Sequence, residues 1–477
     1  MLELADIQSG ALHPRPSPYV GCYILLRIDD RRAGRELLKR LIPALAPATD
    51  PAHAGQEAWV SAALTYQGLK ALGVPQDSLD SFSPEFQQGM AARAATLGDT
   101  GENAPEHWEK PFGRPDIHVG ISALSPDKAR LEAVLARARQ AYEKTPGITA
   151  IWRLDCYALP TEAEHFGFRD GISHPAIEGS GIPGTNSKEP PLKAGEFILG
   201  YVDETGGLPL MPQPEILGRN GTYVVFRKLH QRVAAFRQYL KANSSSSEEE
   251  ELLAAKMMGR WRSGAPLALS PTKDDPAIGA NPQRSNNFLF KEEDPKGLKT
   301  PLGSHIRRMN PRDSEVIGAV RLHRMIRRGT SYGPPLPPGV LEDDGVDRGL
   351  AFIFAGTNLR RQFEFVQSEW MNDSSFFGPQ GESDPIAGHG GKTGQFTIPT
   401  QPIRRRLRDL PQFVVTRGGE YFFAPGLRAL RWLGRPRHVK CESGPRNDQQ
   451  LERSARQCFH RSELGGVGHE HRHRKER

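Results

Sequence analysis

A chain of 477 residues exceeds what one ordinary hydrophobic core organises, so two domains or one duplicated unit are expected. Hydrophobic residues at 37% and charged residues at 25% fit a globular protein, and no run approaches the roughly 20 apolar residues of a membrane helix, so a membrane is not an expected partner. The net charge of +7 is concentrated at one end: ten Lys or Arg face six Asp or Glu in residues 436–477, leaving +3 for everything before.

That near balance argues against a nucleic-acid partner, and the basic runs 306–308 and 404–408 lack interleaved aromatics. Met1 to Ile7 has neither a basic nor an apolar leader region, so cytoplasmic residence is expected. Cys22, Cys156, Cys441 and Cys458 are widely scattered, which predicts free thiols instead of a disulfide framework or a Cys-based metal site.

In chain order, residues 19–28 read as a strand, 32–41 as a helix, 58–65 as a second strand and 66–72 as a short helix stopped by Gly73 and Pro75. A third strand follows at 118–124. The next helix has Ser125 as its expected N-cap, Pro126 at its first position and Leu131, Val134, Leu135, Ala138 and Tyr142 on one face. Residues 149–157 complete the strand, helix, strand, strand, helix, strand order of a ferredoxin-like unit.

Beyond a Gly/Pro-rich stretch at 179–193 the alternation resumes more loosely. Residues 223–243 begin as a strand and become helical. The Ser-rich and Glu-rich run 244–251 reads equally as a cap for a helix starting near Leu252 or as an acidic linker. Strand patterns recur at 350–355, 412–416 and 420–423, with a helix at 359–370. The expected organisation is an α+β fold of two ferredoxin-like units, 1–157 and 158–435, with a basic tail at 436–477 that has lost apolar periodicity.

Within Glu164 to Gly179, the pentapeptide Gly167-Phe-Arg-Asp170-Gly171 reads by composition as a turn. With the Ile-Ser-His-Pro that follows, it resembles the signature of the dye-decolourising peroxidases. Two further segments resemble the same family in the same order: Thr300-Pro-Leu-Gly-Ser-His305-Ile-Arg-Arg-Met-Asn-Pro-Arg312, and Leu322 to Pro334 with its Arg327-Arg328 pair. Shorter likenesses, among them Gln362 to Phe365 with Trp370 and Arg417 to Pro425, extend the resemblance over most of residues 5–430.

The resemblance implies two ferredoxin-like units in a dimeric α+β barrel-like fold binding one haem b. His305 would be the axial iron ligand, Asp170 the acid/base group, and Arg327, with Arg328 as the alternative, the residue that stabilises charge on peroxide. It also implies Phe352 and Phe354 as pocket walls, and hydrogen peroxide with dyes or phenolic aromatics as substrates.

Asp313 and Glu315 lie near His305 in sequence, but no acidic partner is assigned. Tyr332, Trp370 and Trp261 are candidate surface relays for electrons from large substrates. The resemblance leaves a homo-oligomer open, and Ser462-Glu-Leu-Gly-Gly-Val467 bears a short likeness to nanocompartment docking peptides. Competing readings are a haem-processing, deferrochelatase-like enzyme, a non-catalytic haem-binding protein, and a ferredoxin-like protein that binds no haem.

Overall fold

The computed structural model describes residues 1–49, 57–160, 162–314, 319–373, 381–389 and 394–435. The basic tail, with Cys441, Cys458, its histidines and Ser462 to Val467, lies outside the described residues, as does Glu315.

The apolar alternation of the first half produces β1 (Val20–Ile28), β2 (Trp59–Leu64), β3 (Val119–Ser125) and β4 (Ile148–Tyr157), with α1 (Arg31–Leu41) and α2 (Lys128–Glu143). The strands lie in the order β4-β1-β3-β2, all antiparallel, as a ferredoxin-like unit requires. Ser125 does not cap α2. It is the last residue of β3, and Asp127 is the N-cap, its carboxylate accepting from the Arg130 amide. The carboxylate complements the helix dipole better than the hydroxyl and displaces the start by two residues.

The second half contributes β5 (Thr222–Gln231), β6 (Ile326–Arg327), β7 (Thr330–Tyr332), β8 (Gly349–Gly356) and β11 (Val414–Ala424), with a separate hairpin of β9 (Phe396–Ile398) and β10 (Arg405–Leu407). The two strand patterns at 412–416 and 420–423 are one strand, β11, whose register against β5 shifts between Thr416 and Gly418. A bulge there passes Arg417 without ending the pairing. After α3 (Val233–Ala242), the run 244–251 caps and opens a helix: Ser246 caps α4 (Ser247–Met258), accepting from the Glu249 amide, and three glutamates occupy its first turn.

β11 joins β2 through Phe423 and Leu64, so the sheet runs through both halves as β4-β1-β3-β2-β11-β5-β8-β6, with β7 also on β8. Residues 1–435 form one compact unit, and the main core passes across the expected boundary at Tyr157, joining Leu26 and Leu64 to Tyr223, Phe354 and Phe423. Burying each such large apolar side chain stabilises the fold by about 1.5–3 kcal/mol. Among the described residues no helix is long and apolar enough to cross a membrane, and Cys22 and Cys156 are buried free thiols.

Candidate active site

The turn at 164–171 is built around a buried carboxylate. Glu164 accepts from the amides of Phe166 and Phe168, both at 2.9 Å, and from Gln231 Nε2 at 2.5 Å. Phe166 and Phe168 pack against Phe236 beneath it. Gly167 and Gly171 have φ of +93° and +73°, and a Cβ on Gly171 would stand 2.8 Å from the Arg15 guanidinium. The turn thereby presents Asp170, whose carboxylate Oδ2 lies 3.5 Å from Arg15 Nη2 and remains 37% exposed.

His305 begins α5 (His305–Met309). Its Nδ1 donates to Asp384 Oδ2 at 2.9 Å, and the other carboxylate oxygen of Asp384 accepts from the amides of Ile386 and Ala387, each at 2.9 Å. A carboxylate only accepts, so the ring proton sits on Nδ1 and Nε2 carries the lone pair. Burial alone would raise the Asp384 carboxyl, but His305, the Ala387 amide and Arg308 together hold it below its ordinary value.

The fully buried Arg308 ties this region together, donating to the carbonyls of Gly303, Trp370, Asp373 and Glu382. Asp384 was not found from sequence, being 79 residues from His305. Asp313 is turned away, accepting from the Phe290 and Lys291 amides.

Strand alternation separates the two adjacent arginines. Arg328 is buried, donating to the carbonyls of His13 at 2.6 Å and Leu12 at 2.7 Å, which ties the N-terminal segment to the sheet. Arg327 enters a cavity that Asp170, His305 and Phe352 also line. Two residues on, a Cβ at Gly329 would stand 3.4 Å from Asp170 Oδ2, so the Asp170 turn lies directly beside the strand carrying Arg327.

Phe354 is not in the cavity wall. It is fully buried in the main core, with its ring 6.1 Å from that of Phe363, which does line the cavity. Tyr332, Trp370 and Trp261 are all buried, so none is itself a surface contact. The Tyr332 hydroxyl donates to Asp347 and the Trp261 indole to the Ser270 carbonyl.

The same cavity takes in Arg260, Arg312 and Arg324. Arg324 is paired with Glu189, but Arg260 and Arg312 donate only to neutral oxygens of residues 264 and 285–288. Burial pushes Arg260 down to about 10 and Arg312 to about 9. Buried cations without a carboxylate call for an anionic ligand.

His389 also lines the cavity, its Nδ1 donating to the Gly98 carbonyl at 3.0 Å, and burial lowers it to about 4. Apolar walls from Phe352, Phe363, Leu229 and Val366, buried guanidinia and an imidazole with a free Nε2 fit a flat apolar macrocycle that bears carboxylates and takes one axial nitrogen.

Fold and cavity together define an α+β enzyme with a buried, cation-lined cofactor site. The DyP dimeric alpha+beta barrel domain matches residues 20–157. A dye-decolourising peroxidase of Mycetinis scorodonius is 32% identical over 426 residues, covering 83% of this chain and 79% of that protein. The chain belongs to the dye-decolourising peroxidase family, whose members are haem enzymes.

The crystal structure of a fungal DyP-type peroxidase from Auricularia auricula-judae superimposes with a TM-score of 0.78 at 28% identity, over 91% of this chain and all of that one. A deferrochelatase of Yersinia pestis is 33% identical over only 105 residues, 22% of this chain.

Proposed function

We propose that the chain is a haem b peroxidase that reduces hydrogen peroxide and draws single electrons from dyes or phenolic aromatics. Its axial ligand is His305, its acid/base group is Asp170 and its charge stabiliser is Arg327. The observation that carries this reading is the convergence of all three on one cavity, with the His305 imidazole oriented by Asp384. Haem, when bound, supplies the redox chemistry that splits the peroxide bond.

Nε2 of His305 would offer the haem iron a neutral nitrogen donor, and Asp384 fixes the tautomer and raises the basicity of the ring. Arg260 and Arg312 would hold the macrocycle's carboxylates, which would offset the cost of their own burial. Asp170 removes a proton from one peroxide oxygen and returns it to the departing one. Its partial exposure and its contact with Arg15 suit a group that must exchange that proton with solvent.

Arg327, which has no ion pair among the described residues, stabilises the charge developing on the departing oxygen. The apolar wall at Phe352 keeps bulk water from weakening these interactions. Peroxidase chemistry is favoured over a deferrochelatase role because the resemblance to peroxidases covers most of the chain and that to deferrochelatases about a fifth of it.

Reconstitution with haem tests the proposal. A Soret band that His305→Ala abolishes, with peroxide-dependent bleaching of an anthraquinone dye, is expected. No Soret band, or iron-free porphyrin as the product, would overturn it.

A further inference from the structure

Four of the eight methionines of the chain, Met258, Met309, Met325 and Met371, line this one cavity, and all four are half-buried. Met90 and Met257 are by contrast fully buried elsewhere, and Met211 lies at a distant surface pocket. No tyrosine, tryptophan or cysteine is among the described residues lining the cavity. Thioether sulfur is therefore the most readily oxidised side-chain group in contact with the space that receives peroxide.

Two of the four stand next to the support of His305. Met309 follows His305 by four residues on α5, which places both on one face of the helix. The carbonyl of Met371 accepts from the Asp384 amide at 2.7 Å. Met309 and Met325 also pack together against Val320, Val366 and Trp370. A sulfoxide on Met309 puts a polar group into an apolar cluster that backs the proximal helix, and one on Met371 does so beside the Asp384 loop.

We infer that these methionines are peroxide-modification sites that limit the working life of the enzyme. The inference rests on the peroxidase reading and assigns the cavity a second, self-directed chemistry. When peroxide exceeds reducing substrate, one oxygen atom of hydrogen peroxide is transferred to sulfur as the O–O bond breaks, a cleavage that bound haem would promote. The sulfur loses two electrons, and the second oxygen leaves as water with both protons. Oxidation at Met309 and Met371 then loosens the hold of Asp384 and α5 on His305, and haem is released.

Peptide mass spectrometry on haem-loaded protein, sampled during exposure to hydrogen peroxide without reductant, tests this alongside the Soret band. The expected result is the gain of one oxygen at Met258, Met309, Met325 and Met371 before Soret loss. Met90 and Met257 stay unmodified, and the cavity sites react much more slowly in haem-free protein. Met309→Leu with Met371→Leu should prolong Soret retention under the same exposure.

Soret loss with unmodified cavity methionines would overturn the inference, as would equal oxidation with and without haem. Either result leaves the peroxidase reading intact. Failure to form a Soret band at all would remove both.

Discussion

Asp384 Oδ2 accepts from His305 Nδ1 at 2.9 Å while the rest of the same carboxylate is held by two backbone amides. The amides fix the acid, and the acid fixes the imidazole. Asp384→Asn keeps the shape but replaces an anion with a neutral amide, so the imidazole loses basicity without losing position. Partners of this kind are worth about 10–100-fold in metal affinity or activity. The variant is expected to retain haem with a lowered iron–histidine stretching frequency, measured by resonance Raman, and a more positive reduction potential. An unchanged stretch would show that Asp384 does not tune the ligand.

Arg327 and Arg328 carry the same charge on adjacent residues and are expected to respond oppositely. Arg327→Leu leaves the fold untouched and slows the reaction with peroxide by about 10²–10³-fold. Asp170→Asn slows it by about 10²–10⁴-fold, as for loss of a positioned proton carrier. Arg328→Leu deprives the Leu12 and His13 carbonyls of their donor, so it lowers the urea midpoint while the peroxide rate per folded, haem-loaded molecule is retained. Stopped-flow mixing and equilibrium unfolding on the three variants separate these outcomes.

The two phenylalanines divide in the same way. Phe354→Ala empties a fully buried core position and is expected to cost about 3–5 kcal/mol in chemical denaturation, with little effect on the haem spectrum. Phe352→Ala enlarges the cavity itself, so it shifts the Soret maximum and costs less stability. The reverse pattern would place Phe354 at the haem.

What was legible in the sequence was what is local. Apolar runs and a period-3.6 pattern located β1 to β4 and α1 to within a residue or two, because short apolar runs become buried strands and the apolar stripe of α1 is set within its own segment. The separate strands read at 412–416 and 420–423 are joined by a bulge, which glycine content disguises as a break. His305 and Asp170 were reachable through the segments around them.

Asp384 was not reachable, since nothing near it distinguishes it from Asp313, and only the fold brings it to His305. The same holds for Glu164, whose carboxylate organises the Asp170 turn by accepting two amides of its own segment. Arg260 and Arg312 read as ordinary basic residues until their direct acceptors in the fold are seen to be neutral oxygens.

Acid sensitivity should have a defined shape. Burial, assisted at all three sites by neighbouring arginines, lowers His165 and His389 to about 4 and His174 to about 3 from an ordinary 6.5. Burial raises Glu196 and Glu420 to about 7 from 4.5, opposed at Glu196 by Arg361 and at Glu420 by the Tyr421 and Met90 amides.

Between pH 6.5 and 4.5 the unfolded chain carries protons on three histidines that the folded chain lacks, and the folded chain carries protons on two glutamates that the unfolded chain lacks. Over these five groups the net difference is one proton favouring the unfolded state; lowered His118 and His323 add to it and raised Glu164 opposes it, so stability falls as pH drops through this window, by about 1.4 kcal/mol per unit for each unbalanced proton. Below 4.5 the unfolded glutamates also protonate and the offset disappears. Stability then falls more steeply, until the folded histidines themselves take up protons near pH 4.

Glu420→Gln removes one of the two offsetting protons while keeping an acceptor for the Met90 and Tyr421 amides. It should steepen the fall of the urea midpoint between pH 6.5 and 4.5. A slope identical to that of the parent would show that Glu420 is ionised in the fold throughout this range.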